Sequence, residues 1–306
     1  MQSSDNLFLS LCIPTNGVLH WVKPVLESIY RQADRTDIFE VIVTDNGDNA
    51  EFKTFMRNYA AQHDNLLYRE TKAKGFLNME ESFRLAQGAF TKFVNHRMPL
   101  KDGTLRILLD IAQKYREQED KPVVYFSNGV LGRHEVWQLD TFDAFVRTLG
   151  IYNSWSGGLC FWREDMAAIP DDHKYNALFP QQDIMYLRRH ASAYIFDDRE
   201  LFGGLPVGKT AKGDYDLYYA FAVEFMALTL SLVRSGDITE ATFLSVKKAC
   251  RDFIAEQYIQ FNILHRPCSY DISRFHPCVD VFFSAASLRR AICLKIPKLM
   301  LRKIYH

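Results

Sequence analysis

The first 95 residues alternate between short apolar runs and amphipathic stretches, and this alternation constrains the fold more than any other feature. Apolar runs occupy 7–13, 39–44, 66–69 and 90–94, and the segments between them repeat apolar residues at helical spacing. Strands that alternate with helices favour a parallel sheet covered on both faces. We therefore predict an α/β fold with a mostly parallel sheet flanked by helices.

A polar turn follows each of three predicted strands. The turns are Pro14-Thr15-Asn16-Gly17, Asp45-Asn46-Gly47-Asp48 and Asn95-His96-Arg97. Because ligands of such sheets bind at the carboxyl ends of the strands, these turns are candidate binding residues. The alternative is that they are ordinary strand–helix turns, of which Asp-Asn-Gly is a common type.

The character of the sequence changes after Gly203-Gly204. Segments 215–235, 239–261 and 285–304 all have helical periodicity, so we predict a domain over 1–205 and a helical C-terminal region over 206–306. Lys and Arg total 37 and Asp and Glu total 37, which argues against a chain-wide basic surface for nucleic acid. The 6 cysteines include no CxxC pair, which favours reduced thiols in the cytoplasm.

Several segments occur in an order that resembles a known enzyme family. They are LSLCIPTNG at 9–17, LESIYRQ at 26–32, FEVIVTDNGDN at 39–49, SWSGGLCFWRED at 154–165 and FPQQDIMYLRRH at 179–190. Over about residues 7–200 the chain is similar to inverting family 2 glycosyltransferases of the GT-A fold. The resemblance implies a hexosyltransferase that moves a sugar from a nucleotide-sugar donor to a hydroxyl of a lipid-linked glycan, in bacterial surface-polysaccharide synthesis such as that of O-antigen.

The resemblance also implies roles for single residues. Pro14, Thr15, Asn16 and Gly17 would lie against the base of the donor, and Asp45 would bind its base or ribose. Asp183 would deprotonate the acceptor hydroxyl; the alternative is that it caps a helix.

Two further groups are candidate binding residues. Trp155, Ser156 and Gly157 resemble the acceptor-side loop of the family, although Trp155 could instead pack in the core. Lys209 and Lys212 lie between glycines and could close over the diphosphate.

The metal motif departs from the family. Members usually carry Asp-x-Asp where this chain has Asn95 and Arg97. One hypothesis is that Arg97 opposes the diphosphate in place of a metal. A second is that Asn95, His96 or an acid from elsewhere holds Mg²⁺ or Mn²⁺, and a third is that donor binding has been lost. The cofactor is therefore left open, and dependence on a divalent metal is in doubt because carboxylates are its preferred ligands.

The C-terminal tail carries a separate signal. No acidic residue follows Asp280, whereas the basic residues there are Arg289, Arg290, Lys295, Lys298, Arg302 and Lys303. Apolar residues step by four from Leu288 to Ile304. This pattern is typical of a helix on an anionic membrane surface, so we expect a cytoplasmic protein, peripheral on the inner face of the cell membrane. The alternative is a helix that packs on its own domain or on a second subunit.

A second function class stays open at this point. Because the acidic pair is replaced, the chain could instead be a non-catalytic GT-A-like module that binds a nucleotide sugar or a glycan, or that serves as a scaffold.

Overall fold

The computed structural model describes residues 7–206 and 214–304. These residues form two compact units. The first comprises 7–141 and 155–206, and the second comprises 142–154 and 214–304. The second unit thus also contains residues 142–154, which precede the boundary predicted near residue 205.

The first unit is built on two sheets. Its strands are β1 (Leu9–Thr15), β2 (Phe39–Asp45), β3 (Leu66–Glu70), β4 (Phe90–Phe93), β5 (Val123–Phe126), β6 (Val136–Leu139), β7 (Cys160–Trp162) and β8 (Tyr194–Asp197). The larger sheet has the order β3-β2-β1-β4-β7, in which β7 is antiparallel to β4 and the other pairs are parallel. The prediction of a mostly parallel sheet in an α/β fold is confirmed.

Helices cover the larger sheet on both faces, which explains why β1 and β2 show no alternation of polar and apolar residues. The helices of this unit are α1 (Leu19–Tyr30), α2 (Ala50–Ala60), α3 (Asn78–Arg84), α4 (Thr104–Tyr115), α6 (Arg163–Ala167) and α7 (Pro180–Met185). Side chains such as Leu11, Val41 and Phe90 are fully buried between sheet and helices.

The strand register fixes where the candidate site lies. Thr15 is paired with Asp45, so the last residues of β1 and β2 are level at one edge of the sheet. On the other side of β1, Cys12 is paired with Phe93, and the amide of Val94 donates to the carbonyl of Cys12. The chain after β4 therefore emerges at the same edge.

The smaller sheet has the order β5-β8-β6 and was not fully predicted from the sequence. Its strand β6 is short and largely exposed, so it carries little hydrophobic signal.

The second unit is helical. It contains α5 (Phe142–Leu149), α8 (Phe225–Arg234), α9 (Glu240–Tyr258), α10 (Phe275–Val279) and α11 (Ala285–Ile304), and π-helical turns precede α8 and follow α9. The first half of α11 packs on α9 through buried Leu288 and Ala291. Across the described ranges 7–206 and 214–304, none of the helices combines the length and the apolar character needed to cross a membrane.

Candidate functional site

The turns that follow β1, β2 and β4 meet at the sheet edge. The hydroxyl of Thr15 lies 2.8 Å from Nδ1 of His96 and accepts a hydrogen bond from the amide of Gly17 at 3.2 Å. We call Thr15, Gly17, Asp45, His96 and Arg97 the strand-end cluster. The sequence predicted all five as candidate binding residues, and the structure brings them together.

Asp45 is almost fully buried, with 1% of its surface exposed. One carboxylate oxygen accepts from the amide of Gly47 at 2.8 Å, and the other accepts from the hydroxyl of Tyr68 at 3.0 Å. Burial raises the pKa of Asp45 above its usual value. With almost none of its surface exposed, the carboxylate of Asp45 holds the turn at Gly47 and the hydroxyl of Tyr68 in place.

The first two turns touch through backbone. The amide of Asn46 donates to the carbonyl of Thr15 at 3.1 Å, and a Cβ placed on Gly47 would lie 2.1 Å from the carbonyl oxygen of Asn16. Only glycine fits at this contact. Asn16 itself is exposed, and Pro14 is half-buried.

Asn78, the first residue of α3, bonds to the carboxyl ends of both β1 and β2. Its amide nitrogen donates to the carbonyls of Thr15 and Thr44 at 3.0 and 2.9 Å, and its amide oxygen accepts from Thr71 at 2.8 Å. Asn78 is buried, and these bonds use its donors fully. Sequence reasoning missed Asn78 and Tyr68, because each lies inside an ordinary helix or strand pattern.

The ring of Trp21 packs against two members of the strand-end cluster. The guanidinium carbon of Arg97 lies 5.3 Å from the centre of the Trp21 ring, which is a cation–π distance, and the ring of His96 lies 5.1 Å away. Burial, with the charge of Arg97, lowers the pKa of His96 to about 4, so this imidazole is neutral at neutral pH. The sequence alone assigned no role to Trp21.

The donor set at this edge does not fit Mg²⁺ or Mn²⁺. The amide oxygen of Asn95 already accepts from the amide of Arg97 at 3.0 Å, and Nδ1 of His96 is engaged by Thr15. Nowhere in the described chain do three or more His, Cys, Asp or Glu side chains come together as metal ligands. Such ions prefer several oxygen ligands, carboxylates first.

Lys209 and Lys212 lie outside the described residues. The chain that leads to them runs beside Arg97: the amide of Leu205 donates to the carbonyl of Arg97 at 2.9 Å, and the carbonyl of Pro206 accepts from the indole of Trp21 at 3.1 Å.

The predicted acceptor loop is a tight turn whose carbonyls accept hydrogen bonds from two buried side chains. The carbonyl of Trp155 accepts from the hydroxyl of Tyr125 at 3.0 Å, and that of Gly157 accepts from the ammonium group of Lys92 at 2.6 Å. A Cβ on Gly157 would lie 2.4 Å from the Trp155 ring. Trp155 and Ser156 are half-buried. Lys92 is fully buried, and this burial lowers its pKa to about 8.

Asp183 lies in α7 with 25% of its side chain exposed. Its carboxylate accepts from the amide of Asn176 at 2.8 Å and lies 3.9 Å from Nε2 of His173. The carboxylate of Asp183 is therefore bonded to the loop that precedes α7. The side-chain oxygen of Asn176 in turn accepts from the amides of Leu178 and Phe179, just before the helix begins. Burial raises the pKa of Asp183.

Tyr175 completes this second group, the base cluster of His173, Tyr175, Asn176 and Asp183. Its buried hydroxyl has no hydrogen-bond partner among the described residues, and its ring contacts that of His173 at 4.7 Å. Burial, together with the nearby charges of Glu80 and Asp183, raises the pKa of Tyr175 to about 12.

Among the described residues, Asp183 forms no hydrogen bond or ion pair with any member of the strand-end cluster. The two clusters share α3 as a support. Its first residue, Asn78, holds the strand ends, and the charges of its Glu80 and Arg84 act on Tyr175.

Comparisons with known proteins agree on architecture. No protein-family model matches the sequence, and comparison with curated proteins finds no relative. S. aureus TarS 1–349 in complex with UDP superposes with a TM-score of 0.56 at 13% identity, over 93% of this chain and 80% of that one.

Other solved structures are similar too. TarS 1–349 in complex with UDP-GlcNAc gives a TM-score of 0.55 at 12% identity, over 84% of this chain and 76% of that one. A mannosyltransferase from Pyrobaculum calidifontis, in complex with GDP-Man and Mn²⁺, gives 0.49 at 13% identity, over 94% and 86% of the two chains. The two TarS superpositions show that the chain has the GT-A fold, with a mostly parallel sheet flanked by helices.

Proposed function

We propose that the protein is an inverting glycosyltransferase that moves a sugar from a nucleotide-sugar donor to a hydroxyl of a glycan acceptor. The observation that carries the proposal is the strand-end cluster, in which an acidic turn and an arginine on a tryptophan meet at the carboxyl edge of a parallel sheet. Open α/β sheets bind their ligands at this edge.

The strand-end cluster can hold both parts of a nucleoside diphosphate. Exposed Asn16 suits the hydroxyl and N–H groups of a nucleoside, and Asp45 fixes the turn beside it. Arg97 suits the diphosphate, because its planar fork matches phosphate oxygens and Trp21 restricts its orientation. Sugar nucleotides present these two kinds of group next to each other.

Arg97 would also act during the reaction. When the bond from the sugar to the diphosphate breaks, negative charge develops on the leaving phosphate, and a fixed cation stabilises that charge. In this proposal Arg97 supplies the charge, since the donor set at Asn95 and His96 does not fit a divalent metal.

Asp183 would accept the proton of the attacking hydroxyl. Its raised pKa brings the carboxylate nearer to the operating pH, which favours general-base catalysis. In a single displacement the hydroxyl attacks from the face opposite the leaving diphosphate, so the configuration at the anomeric carbon inverts. Trp155 offers a half-buried ring at which the acceptor sugar can pack.

The setting proposed for this reaction is the inner surface of a bacterial membrane, with a lipid-linked acceptor for surface polysaccharide. The resemblance described above and the acid-free basic tail after Asp280 support it.

The test is turnover with a panel of nucleotide sugars, with and without EDTA. We expect donor cleavage or transfer that survives EDTA and falls by about 10²- to 10⁴-fold in Asp183→Asn, the range for loss of a general base. Asp172→Asn is the matched control, because Asp172 is an exposed acid in the preceding loop. Equal activity of the two variants would reject Asp183 as the base, and activity abolished by EDTA would reject the role of Arg97.

The second candidate function is a non-catalytic module that binds a nucleotide sugar or a glycan. The misfit between the donor set and a divalent metal favours it. Nucleotide-sugar binding without turnover of any donor, equal in the wild type and in Asp183→Asn, would support this candidate over the enzyme.

A further inference from the structure

The second unit contains a basic groove between α9 and α11. Its volume is about 740 Å³, and its lining includes Lys248, Arg251, Asp252, Arg290, Leu294 and Lys295. All of them belong to the same unit, so the groove is defined by the packing of two helices against each other. It is distinct from the strand-end and base clusters.

Two cations of the groove are not neutralised. Arg251 is bonded to Asp252 at 2.7 Å and to the hydroxyl of Ser287 at 3.2 Å, and Lys295 lies 3.3 Å from Glu256. Lys248 and Arg290 form no ion pair with any side chain of the described residues. The groove therefore has an excess of positive charge and free donors for an anion.

Apolar side chains are exposed beside these cations. Leu294 lines the groove and is 64% exposed. A smaller hollow of about 300 Å³ adjoins it and shares Lys248, Arg251 and Ser287. Leu244, in the lining of that hollow, is 60% exposed. A surface that combines unpaired cations with exposed leucines favours a ligand with both an anionic and an apolar part.

We infer that this groove binds the phosphate of an anionic membrane phospholipid, with Lys248 and Arg290 as its principal cations. Arginine offers a planar fork to phosphate oxygens and lysine a mobile point charge. The exposed leucines would enter the interfacial layer next to the bound headgroup. The inference rests on the membrane location in the proposed function and names the site responsible for it.

The structure also shows which variants test the inference cleanly. Truncation after Asp280 removes Leu288 and Ala291, which are buried on α9, so loss of binding in a truncated protein could reflect unfolding. Charge substitutions at exposed positions avoid this problem. The test variant is Lys248→Gln/Arg290→Gln in the full chain. The matched control is Arg234→Gln/Arg266→Gln, which removes two exposed charges from the same unit outside the groove.

The measurement is co-sedimentation with phosphatidylcholine vesicles, with and without phosphatidylglycerol. We expect the wild type to bind only the anionic vesicles. The test variant should bind them about 30-fold more weakly, from about 1 kcal/mol for each lost charge, and the control should bind like the wild type. Equal weakening of both variants would show a general charge effect and overturn the site, as would unchanged binding of the test variant.

A soluble-anion arm separates the other source of phosphate. In a titration with inorganic pyrophosphate, we expect the wild type and Lys248→Gln/Arg290→Gln to bind this anion about equally weakly. The lipid assignment would be overturned if the wild type bound pyrophosphate strongly, the test variant did not, and both bound the anionic vesicles equally well. Nucleoside diphosphate binding is measured on the same samples. If it persists while no protein binds vesicles, the groove inference fails and the proposed transferase function stands.

Discussion

The ammonium group of Lys92 in strand β4 lies 2.6 Å from the carbonyl oxygen of Gly157 in the predicted acceptor loop. It also donates to the carbonyl of Phe93 at 2.6 Å and lies 5.0 Å from the centre of the Phe202 ring. Within the described chain Lys92 has no carboxylate partner. A fully buried cation thus joins the central sheet to the turn that carries Trp155.

Replacement of this lysine by methionine should loosen the turn more than it destabilises the fold. Lys92→Met removes a buried charge, which is favourable, but leaves the carbonyl of Gly157 without its donor, which costs about 1–3 kcal/mol. We expect a net change in the free energy of unfolding within about 2 kcal/mol. Hydrogen exchange should become faster at residues 155–159 and stay unchanged in β1. Unchanged exchange across the turn would refute the positioning role.

The same pair of proteins gives a pH test. The pKa of Lys92 is about 8 in the folded protein, against 10.5 for an unperturbed lysine. Between these values the unfolded chain binds the proton and the folded chain does not, so stability rises with pH. Chemical unfolding should therefore show the wild type gaining stability relative to Lys92→Met from pH 8 to pH 10.5. A constant difference would contradict the lowered pKa.

Removal of the Arg97 side chain should weaken nucleoside diphosphate binding in the absence of any metal. Hydrogen bonds to charged groups contribute about 1.5–3 kcal/mol, so we expect Arg97→Ala to lose about 10- to 100-fold in affinity by calorimetry in EDTA. Arg97→Lys keeps the charge but loses the planar stack on Trp21. Its affinity should therefore lie between that of the wild type and that of Arg97→Ala.

The control for Arg97 is Arg106→Ala, because Arg106 is an exposed arginine paired with Asp110 on α4. Wild-type affinity in Arg97→Ala, or wild-type protein that binds only when Mg²⁺ or Mn²⁺ is added, would argue against an arginine in place of the metal.

His96 should make the protein less stable in acid. Its pKa is about 4 when folded and 6.5 when unperturbed, so only the unfolded chain takes up the proton between these values. The stabilisation is complete above pH 6.5 and is lost as the pH falls towards 4, by on the order of 3 kcal/mol. The variant His96→Asn cannot titrate at this position. The difference in unfolding free energy between the wild type and this variant should therefore shrink as the pH falls from 6.5 to 4. A difference independent of pH would contradict the prediction.

The fold was predictable because the strongest sequence signals come from strands buried on both faces. The run that became β2 is apolar almost throughout, and its polar end at Asp45 marks the sheet edge. The strand-end residues were found for the same reason: a strand that ends in a polar turn is visible in the sequence.

Lys92 and Tyr175 were missed for a different reason. Lys92 is the one charged residue in the apolar run 90–94, and such an isolated lysine suggests a side chain that faces solvent. Its burial depends on Phe126 and Phe202, which are distant in sequence. Tyr175 lies in a segment without periodicity, and its environment comes from α3. Contacts between distant segments set these environments, and a local pattern does not contain them.

Gly47 offers a test of the contact between the first two turns. Gly47→Ala would place a Cβ 2.1 Å from the carbonyl oxygen of Asn16, and because that oxygen belongs to the backbone, one turn has to move. We expect a loss of about 1–3 kcal/mol in unfolding free energy, as for other overpacked sites. Nucleoside diphosphate binding should weaken as well, because the amide of residue 47 holds Asp45. Gly204→Ala is the control, since nothing lies within 4 Å of a Cβ at that position. If Gly47→Ala matched this control in both measurements, the two turns would not depend on each other.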